Sequence, residues 1–234
     1  MGRRISGWSN VVERPDWRHK MVEVSILLEG GVNVESNANA DTFDNSERLR
    51  ESFQRLLSSG LRENEEIKIR VDTKGSYTSV LKLKSHLSST TLALLDLDAD
   101  ASHRERRIEQ YGLSGYEEFV FFMIQAMESW ILSQPEAIEK TFEDFTRIEQ
   151  SPLADDPIIK GINCESIEKP DKKLNTLLSK YFQREKGGRI KPLKYGKLNN
   201  SYSLIEKLDI DLLKGRFQDV DNLLNKIKAL TLDA

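Results

Sequence analysis

An apolar run that stops at closely spaced carboxylates restricts the fold of this chain more than any other feature. Thr91-Leu92-Ala93-Leu94-Leu95 reads as a buried strand, and Asp96-Leu97-Asp98-Ala99-Asp100 follows without a break. In extended backbone, residues two apart point to the same side, so Asp96 and Asp98 can converge on one ion. A buried strand with paired acids at its C-terminal end is a common means of holding magnesium beside phosphate. Asp100 either adds a ligand or caps the segment that follows.

Two other strand-like runs end in acids. Val22-Glu23-Val24-Ser25-Ile26-Leu27-Leu28 leads into Glu29-Gly30-Gly31, where glycine permits a tight turn and close approach of a ligand. Phe119-Val120-Phe121-Phe122-Met123-Ile124 leads into Ala126-Met127-Glu128-Ser129-Trp130. If the strands are parallel neighbours, Glu29, Asp96, Asp98 and Glu128 share the carboxyl edge of one sheet, where open α/β folds bind ligands. Each piece alone has a plainer reading as a turn, a solvated loop or a helix cap. Their joint order favours a site.

Between these runs the pattern turns helical. A helix is expected from about Ser46, its cap, with Leu49, Phe53, Leu56 and Leu57 on one face. Glu66 to Asp72 alternates like a strand, Lys74-Gly75-Ser76 makes a turn, and Val80, Leu81, Leu83 and Leu87 form a short helix. This β-α-β-α-β order predicts an α/β fold with a parallel sheet flanked by helices. The expected divisions are an extension at 1–20, a core at 21–134 and a mostly helical region at 135–234. In the last of these, Pro135 opens a helix and 145–170 forms a connector. The apolar stripe from Phe217 to Leu230 belongs to the core.

The net charge of -3 rules out a global attraction to polyanions, so any nucleic-acid contact must be a local patch. One basic segment qualifies: Arg184, Lys186, Arg189, Lys191, Lys194 and Lys197, around Gly187-Gly188, read as a loop suited to tracking phosphates. Lys74 is a further candidate contact. His103, Arg104, Arg106 and Arg107 follow the Asp cluster and read as a mainly solvent-facing helix start. The single cysteine, Cys164, excludes intrachain disulfides and multi-cysteine metal sites. No apolar run approaches the length of a membrane span, and Arg3-Arg4 precedes no apolar leader, so a cytoplasmic location is expected.

Glu29-Gly30 followed by Asp96-Leu97-Asp98 resembles the signature of the Toprim domain of topoisomerases, primases and overcoming-lysogenization-defect (OLD) nucleases. More specifically, the chain is similar to a family of small bacterial Toprim-like proteins. It shares with them the Gly near Gly75, the element Glu128-Ser129-Trp130-Ile131-Leu132 and a late Tyr195-Gly196-Lys197, over roughly residues 22–228. It departs from them after Gly30, where Gly31-Val32-Asn33-Val34-Glu35 stands in place of Thr-Glu or Asp.

The resemblance implies a Toprim-like fold with a C-terminal helical region, and a Mg²⁺- or Mn²⁺-dependent nuclease acting on DNA or RNA. Glu29 would serve as general acid/base or ligand, Asp96 and Asp98 would hold metal, and Glu128 would be an additional ligand. By analogy it also implies a role in phage defence beside a partner ATPase. Two other classes fit the same residues: a module that binds metal or nucleic acid without turnover, and an interaction subunit of an ATPase complex.

Overall fold

The computed structural model describes residues 21–30, 40–61 and 66–231. Strands β1 (Val22–Leu28), β2 (Ile67–Thr73), β3 (Thr91–Asp96) and β4 (Val120–Met123) form a fully parallel sheet in the order β2-β1-β3-β4. The central strands are apolar on both faces because both faces are covered. In β1 Val24, Ile26, Leu27 and Leu28 are buried, and in β3 Leu92 to Leu95 are. The outer strand β2 alternates instead, burying Ile69 and Val71 while Lys68 and Arg70 face solvent. Charge on an edge strand discourages pairing with another chain.

The helices are α1 (Ala40–Ser59), α2 (Tyr77–Leu81), α3 (Arg104–Gln110), α4 (Met127–Leu132), α5 (Pro135–Thr141), α6 (Pro170–Tyr181), α7 (Lys197–Ile205), α8 (Ile210–Arg216) and α9 (Gln218–Ala229). One sheet face, carrying Ile26, Leu28, Leu94 and Met123, shares a continuous apolar cluster with α1 and with α4 to α9. The other face, carrying Leu27, Leu95 and Phe122, packs on Val80 of α2 and Ile108 of α3. Residues from both expected divisions, 21–134 and 135–234, therefore contribute to one core. The extension at 1–20 and the loop 31–39 lie outside the described residues.

Three expectations need correction. Helix α1 starts at Ala40, and Ser46 is buried inside it instead of capping it. The turns ahead of Leu49 carry few apolar residues, so periodicity alone starts the helix late. The basic segment is a hairpin: β6 (Phe182–Lys186) and β7 (Arg189–Pro192) pair antiparallel, and β5 (Thr146–Arg147) completes a second, three-stranded sheet. Gly187 and Gly188 take φ of 62° and 70°, the turn geometry that matches strand twist. Finally, the arginines of α3 are partly engaged inward. Arg104 donates to Val120 O at 3.1 Å and to Asp219, and Arg107 donates to the Tyr111 hydroxyl at 3.3 Å.

Candidate functional site

The carboxyl ends of β1, β3 and β4 lie side by side, and the acids that follow them meet there. Glu29 is the first residue beyond β1. Its backbone N–H donates to Leu94 O at 3.0 Å, and its Oε2 accepts the Asp96 N–H at 3.1 Å. Gly30 then turns the chain at φ 120°, a conformation that side-chain-bearing residues rarely adopt. Its carbonyl accepts the Gly75 N–H at 3.0 Å, which ties the β1 end to the turn after β2.

Asp96 closes β3 and is 4 % exposed. Its Oδ1 accepts the N–H of Met127, the first residue of α4, at 3.0 Å, and its Oδ2 accepts from Lys197 Nζ at 2.9 Å. One carboxylate thus joins the sheet to the starts of two helices, where free N–H groups and the helix dipole favour an anion.

Asp98 does not continue the strand. It takes φ 55°, and its N–H donates to Gln125 O at 2.8 Å, so the same-side argument for an extended Asp-x-Asp does not hold here. The acids still interact. Burial and the Asp96 charge both raise the Asp98 pKa, which Arg107 partly offsets. Burial, reinforced by Asp96, pushes Glu29 up to about 7.

Glu128, the second residue of α4, is buried, and it accepts the Tyr195 hydroxyl at 2.8 Å. Burial raises its pKa, and the Tyr195 phenol beside it is raised by burial and by the Glu128 charge. Burial works against the charge on Lys197, but Asp96, Glu128 and Glu29 together hold that ammonium above the ordinary lysine range.

These groups border a cavity of about 1010 Å³. Asp96, Asp98, Asp100 and Glu128 line one side, and Lys169, Lys172 and Asn175 at the start of α6 line another, with Tyr195 and Lys197 also in the wall. Glu29 stands outside the lining, reached through Asp96. Among the described residues three non-glycine residues have positive φ, namely Asp98, Gln125 and Lys169, and all three line this cavity. Left-handed backbone at such residues costs of order 1 kcal/mol each and tends to gather where function requires a particular geometry.

Asp100 lines the cavity with its carboxylate already engaged, and other expected residues fall elsewhere. Asp100 caps the turn at 101–103, accepting the Ser102 N–H at 2.9 Å, and this bonding lowers its pKa. Lys74 lies in the turn beside β1, its N–H on Leu28 O at 3.0 Å, and does not line the cavity. Arg189 and Lys191 are exposed on β7 and Lys194 just beyond it, and among the described side chains of the basic segment Lys197 is the one that reaches the acids. Gln125, Lys169 and the Tyr195–Glu128 pairing were missed as site features. The late Tyr-x-Lys element was the one signal that pointed to the pairing.

The donor set is chemically suited to a hard divalent cation, being all carboxylate oxygen, and Glu29 and Asp98 are both shifted upward, by burial first and by the Asp96 charge second. Among the described residues no three His, Cys, Asp or Glu side chains converge closely enough to hold a metal ion, and Lys197 already contacts Asp96. A metal ion there would have to draw the carboxylates closer together and compete with Lys197 for Asp96.

Fold and site together define an open parallel α/β protein with an acid cluster at the carboxyl edge of its sheet. No family model matches the chain, and no curated protein matches it. Among solved structures it is similar to the C-terminal region of the Burkholderia pseudomallei OLD protein, with 15% sequence identity and a TM-score of 0.46, covering 88% of this chain and 98% of that one.

Proposed function

We propose that this protein is a Mg²⁺- or Mn²⁺-dependent hydrolase of phosphodiester bonds in DNA or RNA, working in phage defence beside a partner ATPase. The observation that carries the chemistry is the meeting of Glu29, Asp96 and Asp98 at one sheet edge, with Lys197 as their cation. Defence and the ATPase rest on the Toprim resemblance alone.

Asp96 and Asp98 would hold the metal, with Glu128 as an added ligand. The bound ion would stabilise charge on the phosphate and lower the pKa of the attacking water. Glu29, raised by burial and by Asp96 in the metal-free protein, would take a proton from water and return it to a leaving oxygen. Lys197, fully charged, can leave Asp96 for a phosphate oxygen when substrate enters. Tyr195 fixes the direction of the Glu128 carboxylate through its 2.8 Å hydrogen bond.

The Lys197–Asp96 ion pair also favours a second reading, in which the cluster is neutralised internally and the protein binds without turnover. Labelled DNA and RNA panels incubated with Mg²⁺ or Mn²⁺, beside an Asp96→Ala control, separate the two. Metal-dependent cleavage lost in the variant supports the hydrolase. Polynucleotide binding with no cleavage of any panel supports the second reading.

A further inference from the structure

On the sheet face opposite the cavity wall formed by α6, two tyrosines stack beside the acids. The Tyr77 and Tyr111 rings lie 4.6 Å apart at 7° to one another. Tyr111 is buried, whereas Tyr77 is 37% exposed. The Arg107 guanidinium carbon sits 5.3 Å from the Tyr111 centroid, and Arg107 Nη1 donates to the Tyr111 hydroxyl.

The Tyr77 end of this stack is tied to the candidate site through the backbone, and the Arg107 end lies within electrostatic reach of it. Tyr77 follows Gly75 by two residues, at most about 7 Å of chain, and Gly75 is bonded to the Gly30 carbonyl next to Glu29. Arg107 acts electrostatically on Asp98, and Tyr111 feels the charges of Glu29 and Asp98. From Arg107, whose charge is felt by Asp98, direct contacts run through Tyr111 to the exposed ring of Tyr77. Tyr111 fixes the plane of that ring, so a flat ligand stacks on it with little further loss of side-chain freedom.

We infer that Tyr77 is the outer leaf of a base-stacking platform, on which a nucleobase adjoining the scissile phosphate rests. The substrate is then a strand whose base at the cleavage point is unpaired, because a base inside a duplex is already stacked on both faces and must be extruded first. The inference rests on the hydrolase reading for its scissile phosphate, but base stacking can be measured without cleavage.

The test is a cycle between the ring and the bases. Affinity is measured by fluorescence anisotropy, with chelator present, for a labelled oligothymidylate, for a strand of the same length built from abasic tetrahydrofuran units, and for a blunt duplex. The proteins are wild type, Tyr77→Ala, Tyr77→Leu (which keeps Tyr111 covered) and Tyr77→Trp. Stacking of a base on an aromatic ring corresponds to about 5- to 150-fold in affinity. Tyr77→Ala and Tyr77→Leu should weaken oligothymidylate binding by a factor in that range and abasic-strand binding by less than about twofold. Tyr77→Trp should bind like wild type, and wild type should prefer the single strand to the duplex.

Equal affinity of Tyr77→Ala and wild type for oligothymidylate overturns the inference. So does an equal loss on the abasic strand, a preference for duplex, or no detectable oligothymidylate binding by wild type. Failure of the wild type to cleave any strand with Mg²⁺ or Mn²⁺ would count against the hydrolase reading and leave the stacking result standing.

Discussion

Replacing Glu29 with Gln should change how stability depends on pH, and the structure sets both sign and size. The Glu29 carboxyl is raised from 4.5 to about 7 in the folded protein, by burial first and by Asp96 second. Below pH 4.5 it is protonated in both folded and unfolded chains and contributes nothing to the difference. Between 4.5 and 7 the folded state keeps a proton that the unfolded state releases, so stability falls as pH rises. Above 7 both are ionised, and the folded protein carries the whole penalty.

A shift of this size corresponds to roughly 3 kcal/mol, which partial solvent access to Glu29 reduces to about 1–2 kcal/mol. Gln keeps an oxygen to accept the Asp96 N–H and removes the titration. Urea unfolding in chelator, from pH 4.5 to 8, should show the variant equal to wild type at the acid end. At pH 8 its midpoint should be higher by about 0.5 M, taking a slope of about 2–3 kcal/mol per molar. The comparison isolates Glu29, because Asp98 and Glu128, whose pKa values are also raised, are present in both proteins. Parallel stability curves across the whole range would refute the reasoning.

Mg²⁺ or Mn²⁺ at about 100 times its dissociation constant should stabilise the wild type by about 2.7 kcal/mol, seen as a rise in Tm. The Asp96→Ala, Asp98→Ala double variant should lose that rise while keeping its far-UV spectrum, and a metal-independent wild-type Tm would refute a metal site. Trp130, 0% exposed and set between Phe53 and Phe217 at ring-centroid distances of 6.0 and 6.2 Å, should cost about 3–5 kcal/mol when cut to Ala, measured by denaturant unfolding. Changing Arg189, Lys191 and Lys194 together to Ser should weaken polynucleotide binding and lower the slope of log affinity against log salt by about 2–3, while an unchanged slope assigns the hairpin to solvent.

The sheet was legible because strands buried on both faces must be apolar without interruption, as Leu92 to Leu95 and Val120 to Met123 are. The acids at its edge were legible for the same reason, since each breaks such a run. The backbone of the Asp pair was not, because spacing says nothing about where a strand ends, and Asp98 lies in a left-handed turn held by Gln125 O. The hairpin could have been found: two short runs around Gly187-Gly188 are a turn signal that the surrounding cations obscured. What no local pattern could supply was the partner of each acid. Lys197 meets Asp96 across 101 residues and Tyr195 meets Glu128 across 67, and both depend on how α6, the hairpin and α7 return to the sheet.

The Asp219 carboxylate has a consequence for biosynthesis. Strand β4 is an outer strand, and its Phe122 N–H donates to Asp219 Oδ2 at 2.6 Å, with Arg104 holding the same carboxylate. That cover comes from a residue 97 positions later in the chain. At translation speeds of about 5–20 residues per second, β4 leaves the ribosome roughly 5–20 seconds before Asp219 does. During that interval the nascent sheet offers an open apolar edge that another growing chain or a chaperone can pair with. An Asp219→Ala substitution leaves the Phe122 N–H of that edge without its acceptor even after α9 has docked, so its first visible effect should be poor soluble yield at high expression, before any loss in the folded fraction that survives.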